Sequence, residues 1–275
     1  MGIVVGLDVG GSMTKIVAMR DKKILAKCTV RATDPVTSAF GALGRLIDEN
    51  GWQIGDVSQV NITGVGASFP AGPLLGIKTV VVTEFLATGL GGLYLSGLDH
   101  AVVVSMGTGT AYLDASYEKV RHLIGSGVGG GTLVGLSNAL IHVDDAVKLS
   151  EIAEGGDLLN VDLTIGDISK SEIPGLPMNI TASNFGKVND DLSKEDMVLG
   201  VFNTVYQAIG TMSVLAARNC GLKDIVLTGQ LSALKQCKEI IGAFGELYNM
   251  NFIISEDAQY ATAIGSCIAS SLDEA

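Results

Sequence analysis

The sequence predicts an α/β fold, because short runs rich in β-branched residues alternate with segments of helical periodicity. Near-continuous apolar strands of this kind are expected in sheets that are covered on both faces. The strand-like runs are residues 3–9, 58–66, 79–84, 101–107, 225–229 and 252–255. Between them, apolar residues recur at helical spacing in 35–51 and in 201–221, where Gly221 ends the pattern. Strands that alternate with helices indicate an α/β architecture.

Length and composition indicate a folded chain of about two domains. The chain has 275 residues, and 47% of them are hydrophobic, which is enough for a sizeable core. Its 36 glycines are clustered rather than periodic, which points to functional loops.

Charge and cysteine usage exclude several classes of protein. The formal charge of −11 comes without a basic stripe, so we expect no nucleic-acid partner. The four cysteines are far apart and form no CxxC pair, which suits reduced thiols better than disulfides or a zinc site. We find no signal peptide and no apolar stretch of about 18 residues, so the sequence predicts a cytoplasmic protein without a membrane span.

Two segments and three single residues are assigned structural roles. Segment 111–126 is predicted to be a strand that returns through a polar turn, and 155–195 a loop-rich insertion. His100 and His142 lack partners at metal-ligand spacing and are predicted to be structural, and Asp114 is assigned to a turn.

The first candidate site is GLDVGGSMTK, residues 6–15, in which a strand runs directly into a glycine turn. Gly10 and Gly11 let backbone N–H groups approach an anion closely, Ser12 and Thr14 add hydroxyl donors, and Lys15 can reach a phosphate. A carboxylate beside a phosphate requires a cation, so we expect Asp8 to hold Mg²⁺, directly or through water. Taken alone, the same pattern also fits an ordinary hairpin.

The pattern recurs in three further segments. In 101–114 a buried strand is followed by the turn Gly-Thr-Gly-Thr. In 125–140 a glycine-rich turn precedes an apolar helix, and in 224–237 a strand is followed by a Thr-Gly turn. The N-terminus of the helix in 125–140 is expected to be an anion site. None of these is a Walker A loop or a Rossmann GxGxxG motif. Together they predict two turns that grip one polyphosphate from both sides.

The order of these loops resembles the acetate kinase–sugar kinase–heat-shock–actin superfamily, and within it the type II pantothenate kinases. The segments that carry the resemblance are GLDVGGSMTKIV, VTEFLATGLG, VSMGTGTAYL, GVGGGTLVGL, TASNFG at 181–186 and ATAIGS at 261–266. They span nearly the whole chain, and TEFLA with TASNFG is more specific than the glycine loops.

The resemblance implies two ribonuclease-H-like, actin-like ATPase domains with a nucleotide cleft between them. With the boundary placed near segment 111–126, the domains are residues 1–115 and 116–275. The resemblance also implies ATP and Mg²⁺ as cofactors, pantothenate as substrate, a possible coenzyme A thioester ligand, and a homodimer for which helix 201–220 is the candidate interface. It identifies GLDVGGSMTK as the first phosphate loop, SMGTGT as the second, and IVLTGQ, residues 225–230, as the adenosine loop. The residues it assigns to the phosphates and adenosine of ATP are Asp8, Gly10, Gly11, Ser12, Met13, Lys15, Thr108, Gly109, Thr110, Gly129, Gly130, Gly131 and Gly229.

The reaction implied is the phosphorylation of pantothenate to 4'-phosphopantothenate, the first step of coenzyme A synthesis. Glu84, expected at the end of strand 79–84, matches the family's catalytic glutamate and would accept the proton of the substrate hydroxyl. By this resemblance, the substrate is expected to be bound by Arg121, His122 and Ser126. The family pattern has arginine where this chain has His122, and in extended chain the neighbouring Arg121 would point to the opposite face.

Other functions remain open at this point. The acceptor could be pantetheine or a sugar, although the zinc cluster of sugar kinases is absent. The chain could instead be a nucleotide-driven switch like the ATPases that serve acyl-CoA dehydratases, or a pseudokinase that senses nucleotide or acyl-CoA.

Overall fold

The computed structural model describes residues 2–31, 34–70, 72–171, 173–175 and 177–272. In this part of the chain two five-stranded sheets have the same arrangement, with three antiparallel strands followed by two parallel ones. The first sheet has the order β3-β2-β1-β4-β5 and the second β12-β11-β6-β7-β8. Their strands are β1 (Ile3–Val9), β2 (Met13–Arg20), β3 (Lys23–Arg31), β4 (Val57–Thr63), β5 (Thr79–Val81), β6 (His100–Met106), β7 (Thr110–Ser116), β8 (Val120–Ser126), β11 (Asp224–Thr228) and β12 (Asn251–Ile254).

A small antiparallel pair, β9 (Leu163–Thr164) and β10 (Thr181–Ser183), lies in the segment predicted to be a loop-rich insertion. The helices are α1 (Pro35–Glu49), α2 (Glu84–Ser96), α3 (Gly130–Ile141), α4 (Ala146–Ala153), α5 (Leu158–Val161), α6 (Ile165–Ile168), α7 (Lys194–Cys220), α8 (Lys235–Tyr248) and α9 (Ala261–Leu272).

The helices cover both faces of each sheet. α1 packs on one face of the first sheet through Leu43 and Leu46, and α9 covers the other face with Ile264. Helix α1 begins at Pro35 because the Asp34 carboxylate accepts a hydrogen bond from the Thr37 N–H at 2.7 Å. This layered burial accounts for the apolar character of the strands.

Helix α2 lies between the two sheets. Its Leu90 belongs to the core beneath the first sheet, whereas its Leu93 packs with Val103 and Val226 of the second. The change from the first sheet to the second therefore occurs between β5 and β6. The boundary that the sequence suggested, between residues 115 and 116, lies inside β7 and within the second sheet.

Helix α7 forms the core of the second half rather than an open surface. Phe202 and Tyr206 are fully buried among residues of β6, β11 and α8. By length and composition alone α7 could cross a membrane, but most of it is buried inside the protein. It starts at Lys194, seven residues before the predicted helix, because Ser193 caps the first turn by accepting from the Asp196 N–H.

Candidate functional site

The parallel strands of the first sheet bring three polar residues to one edge. Asp8 near the end of β1 pairs in register with Thr63, the last residue of β4. β5 runs parallel to β4, and Glu84 follows it three residues after Val81. Since the carboxyl ends of parallel strands meet at one edge of a sheet, Asp8, Thr63 and Glu84 are collected there.

Glu84 occupies a different element from the one expected. The strand that was predicted to run to residue 84 ends at Val81, and Glu84 is the first residue of helix α2, after the N-cap Thr83. A carboxylate in the first turn of a helix faces the positive end of the helix dipole. This position fixes the backbone of Glu84 on a rigid element beside the strand ends.

The charges of Asp8, Lys15 and Glu84 act on one another. Asp8 and Lys15 are directly opposite in the β1–β2 register. Burial raises the pKa of Asp8 to about 6, Lys15 opposes this rise, and the negative charge of Glu84 adds to it. Desolvation also raises the pKa of Glu84 at the mouth of the site, again opposed by Lys15. The three side chains therefore form one electrostatic unit.

The donor set beside Asp8 fits a hard cation such as Mg²⁺. The Thr63 hydroxyl is buried and has no hydrogen-bond partner within the described residues, and its register neighbour Asp8 is a desolvated carboxylate. Both are oxygen ligands, which Mg²⁺ prefers. The described part of the chain contains no group of three or more His, Cys, Asp or Glu side chains placed to hold a metal. An ion at Asp8 would therefore complete its coordination with water and phosphate oxygens.

The turn between β1 and β2 leaves its backbone open to a ligand. A side chain at Gly10 would place its Cβ 2.7 Å from the Met13 carbonyl oxygen, whereas nothing lies within 4 Å of the corresponding position at Gly11. Gly11 and Ser12 are exposed. Thr14, in contrast, is fully buried. Ser12 is therefore the exposed hydroxyl of this loop, whereas the hydroxyl of Thr14, like that of Thr63, is buried without a hydrogen-bond partner among the described residues.

The two glycine loops of the second sheet are locked to each other. The N–H groups of Gly130 and Gly131 donate to the carbonyl oxygens of Gly107 and Thr108, each at 2.8 Å. The Thr110 hydroxyl donates to the Val128 carbonyl at the same distance. The sequence predicted an open anion site at the N-terminus of α3, but these two amides are already occupied. They hold Gly129–Gly131 against the Gly107–Thr110 turn instead.

Arg121 and His122 project to opposite faces of β8. Arg121 donates to Asp114 at 2.9 Å, and the same carboxylate accepts from His100 at 2.7 Å. Burial acts to raise the pKa of Asp114, but the hydrogen bonds from His100 and Arg121 lower it overall. Asp114 thus lies within β7, where it accepts hydrogen bonds from Arg121 and His100, and not in the turn that the sequence suggested.

His122 lies beside the first turn of α2. Its ring stacks on that of Phe85, the residue after Glu84, with 4.5 Å between the ring centroids. The third residue assigned to the substrate, Ser126, instead accepts a hydrogen bond from the Val128 N–H at 3.1 Å within its own loop. Of these three residues, His122 is the one that contacts the first turn of α2, through Phe85.

Sequence reasoning missed Thr63 and Phe85. Thr63 is a polar residue at the end of an apolar strand and precedes Gly64. Asp8, which lies near the end of an apolar strand shortly before Gly10, carries the same sequence signal. Gly64 has φ +89° and its hypothetical Cβ would lie 2.6 Å from an Asp8 carboxylate oxygen. The role of Phe85 depends on a contact with residue 122 that no local pattern reveals.

The chain is similar to known proteins in sequence and in fold. The chain is 27% identical over 274 residues to a type II pantothenate kinase of Bacillus cereus (strain G9842), covering 96% of this chain and 97% of the relative. In fold it is similar to the activator of the 2-hydroxyisocaproyl-CoA dehydratase from Clostridium difficile, solved with bound ADPNP (TM-score 0.69, 17% identity, 99% and 95% of the two chains). It is also similar to a ROK family glucokinase from Streptomyces griseus, solved with glucose and AMPPNP (TM-score 0.62, 12% identity, 98% and 99%).

These likenesses, with the repeated order of the two sheets, confirm the predicted α/β fold of two actin-like ATPase domains. The sequence profile of the Fumble family matches residues 100–259, which is more than half of the chain. The protein belongs to the Fumble family.

Proposed function

We propose that this protein is a type II pantothenate kinase, which transfers the γ-phosphoryl group of ATP to the primary hydroxyl of pantothenate. The observation that carries the proposal is the unit of Asp8, Lys15 and Glu84 at the edge of the first sheet. Phosphoryl transfer needs a positioned phosphate, neutralised charge and an oriented nucleophile, and these residue types meet the three needs. The full-length similarity to a type II pantothenate kinase supports the choice of acceptor.

Glu84 would accept the proton of the attacking hydroxyl. Its raised pKa makes its ionised form a stronger base than an ordinary surface glutamate. Because α2 is packed between the two sheets, the carboxylate is held by the rigid core rather than by a loop.

The phosphates would lie between the two sheets. The exposed backbone of Gly10–Ser12 and the ammonium of Lys15 would contact them from the first sheet, and the Gly107–Thr110 turn from the second. Asp8, assisted by the Thr63 hydroxyl, would hold Mg²⁺ through water. The ion would neutralise charge on the β- and γ-phosphates.

The acceptor would lie between Glu84 and His122. We assign Arg121 no contact with the acceptor, since its guanidinium donates to Asp114 on the other face of β8. The imidazole of His122 is exposed. It stacks on the ring of Phe85, the residue that follows the proposed base Glu84. We assign His122 to a polar group of pantothenate.

We further propose that the protein acts as a homodimer in the cytoplasm. The inner face of α7 is buried within the subunit, so an interface on this helix would use outward residues such as Leu215, whose side chain is 59% exposed. Since coenzyme A contains the pantothenate group, we also propose that its thioesters compete for the acceptor site.

The test is ATP turnover by the purified protein with Mg²⁺, with and without pantothenate, pantetheine and glucose, beside the Glu84→Gln variant. Pantothenate-dependent ADP release that falls by about 10²–10⁴-fold in the variant is expected for loss of a general base. Release that is independent of every acceptor, or tight ATP binding without turnover, would contradict the kinase assignment. Preference for pantetheine or glucose would contradict only the acceptor.

A further inference from the structure

Four polar side chains form a row across the first sheet. They are Thr63 on β4, Asp8 on β1, Lys15 on β2 and Thr29 on β3. Asp8 pairs in register with Thr63 on one side and with Lys15 on the other, and Lys15 in turn pairs with Thr29. Residues paired in register on neighbouring strands point to the same face of a sheet. Thr29 therefore lies beside Lys15, on the face that carries Asp8.

Thr29 is held by a residue from the other half of the chain. Its hydroxyl donates a hydrogen bond to the phenol oxygen of Tyr260 at 3.1 Å. Two residues before Thr29, and so on the same face of β3, Lys27 forms an ion pair with Asp257. The Nζ atom of Lys27 also lies over the Tyr260 ring, 5.5 Å from its centroid. These contacts join β3 to the turn between β12 and α9.

The turn between β12 and α9 also contacts two other parts of the proposed site. The carbonyl oxygen of Ala258 accepts a hydrogen bond from the N–H of Gly229, in the adenosine loop, at 3.1 Å. At the start of α9, the hydroxyl of Thr262 is 3.0 Å from that of Thr88. Thr88 lies on α2, one turn after the proposed base Glu84. The turn therefore joins the adenosine loop, the helix of the base and the strand next to Lys15.

The position of Lys15 depends on the hairpin formed by β2 and β3. In the described part of the chain β3 is the outer strand of the first sheet, with β2 as its only neighbour there. Helix α1 packs on one face of β3 through the core that includes Cys28, and Tyr260 contacts the other face. The ammonium of Lys15 ends a flexible four-carbon stem, so its placement depends on how firmly the backbone beneath it is held.

We infer that Tyr260 is a positioning residue for ATP binding: by holding Thr29, it fixes Lys15 where the ammonium contacts the phosphates. The inference rests on the proposed use of ATP and extends it to a residue outside the phosphate and adenosine loops. Because Tyr260 acts through Lys15, its hydroxyl matters for a nucleotide that carries phosphates and not for adenosine alone. One hydrogen bond of this kind corresponds to about three- to tenfold in affinity.

The experiment measures the affinity of the full-length protein for ATP and for adenosine, by calorimetry with Mg²⁺ and without an acceptor. Tyr260→Phe removes the hydroxyl and keeps the ring beneath Lys27, and Thr29→Val removes the hydroxyl of the partner. The matched control is Tyr94→Phe. Tyr94 lies on α2 and donates to the Lys22 carbonyl at 2.7 Å, at the far end of the same hairpin.

Tyr260→Phe and Thr29→Val should each weaken ATP binding by about three- to tenfold and leave adenosine binding unchanged. Because both remove the same hydrogen bond, the double variant should lose no more affinity than either single variant. Tyr94→Phe should bind both ligands as wild type does. In a Lys15→Met background, Tyr260→Phe should weaken ATP binding no further, because the ammonium that it positions is gone. Thermal melting confirms that each variant is folded.

Three outcomes would overturn the inference. Unchanged ATP binding in Tyr260→Phe would show that the hydroxyl contributes nothing to it. Equal loss of affinity for ATP and adenosine would show a general structural role instead of an effect on the phosphates. A loss of ATP affinity that persists in the Lys15→Met background would show that the phenol contacts the nucleotide directly and does not act through the lysine.

Failure of the proposed function is distinguishable from failure of this inference. ATP binding that depends on Tyr260 and Lys15 as expected, but without pantothenate-dependent turnover, refutes the kinase alone. Absence of ATP and adenosine binding in the wild type refutes both.

Discussion

Phe85 and His122 stack face to face, with ring centroids 4.5 Å apart and ring planes inclined by 8°. Phe85 is in the first turn of α2 directly after Glu84, and His122 is on β8 of the second sheet. The contact therefore joins the residue proposed as the base to the strand proposed to contact the acceptor. It also places the imidazole, and not the guanidinium of Arg121, on the side of Glu84.

His122→Phe should separate stacking from polar contact. Phenylalanine keeps a ring against Phe85, so Glu84 stays in place and kcat should remain within about twofold. Loss of the ring nitrogens should raise the KM for pantothenate by about three- to tenfold, which is the value of one hydrogen bond. Initial rates at varied pantothenate concentration measure both kcat and KM.

Arg121→Ala is the matched control for this prediction. Arg121 is paired with Asp114 on the opposite face, so the KM for pantothenate should not change. The ion pair is exposed to solvent and therefore screened, so stability should also change little. A large increase of KM in Arg121→Ala would show that the arginine, after a local rearrangement, binds the acceptor.

Asp8→Asn should stabilise the metal-free protein above pH 6. The pKa of Asp8 is about 6 in the fold, above its value of about 3.9 in an unfolded chain. Between these values the folded state binds more protons, so the stability contributed by Asp8 falls as the pH rises through this range. The amide removes the buried charge and should raise the free energy of unfolding at pH 7.5 by roughly 1–3 kcal/mol.

Urea unfolding in EDTA at pH 4.5 and pH 7.5 measures this effect, and the two proteins should differ little at the lower pH. Added Mg²⁺ should stabilise the wild type at pH 7.5 but not Asp8→Asn, because binding to the folded state alone raises stability. A variant that is less stable than wild type at pH 7.5 would show that the Asp8 charge is already compensated within the protein.

Gly10→Ala and Gly11→Ala should have different effects although the residues are neighbours. The new Cβ at position 10 would meet the Met13 carbonyl at 2.7 Å, so the turn must distort, and stability should fall by roughly 1–3 kcal/mol. At position 11 nothing lies within 4 Å, so the fold should be retained. If the Gly11 backbone contacts a phosphate, ATP affinity should nevertheless fall.

Melting curves and ATP titrations of both variants test this contrast. Unchanged ATP binding in a folded Gly11→Ala protein would contradict the role of this turn as a phosphate loop. Equal loss of stability in both variants would contradict the geometry of the turn.

Local signals made much of the fold predictable. The capping carboxylate of Asp34 and the apolar spacing that follows it specify α1 without any distant contact, and the structure ends this helix at Glu49, two residues before the predicted limit. The first residues of α7 are Lys194, Glu195 and Asp196, which carry no apolar period, so the pattern became visible only from Val201. Such a polar first turn is recognised by its cap.

Tertiary contacts explain what the sequence could not show. Helix α2 was not recognised because Gly89, Gly91 and Gly92 interrupt the helical spacing of its apolar residues. These three glycines allow close packing against β8, α9 and β6, respectively. The glycine loops were located correctly by motif. The pairing of the Gly130 and Gly131 amides with the 107–108 carbonyls depends on residues that lie more than twenty positions apart.

The same substitution, Gly to Ala, should have opposite signs in two helices. At Gly265 of α9 the new Cβ would lie 1.7 Å from the Ala87 carbonyl oxygen of α2, so the two helices between the sheets must move apart. Such overpacking costs about 3 kcal/mol or more when backbone is displaced. At the exposed Gly41 of α1 nothing lies within 4 Å, and alanine should add roughly 0.5–1 kcal/mol to the free energy of unfolding through its higher helix propensity.

Urea unfolding of both variants measures the difference. A Gly265→Ala protein as stable as wild type would show that α2 and α9 can separate without loss of stability. Because α2 carries Glu84, separation of the helices should also lower the turnover of pantothenate more than it lowers ATP binding.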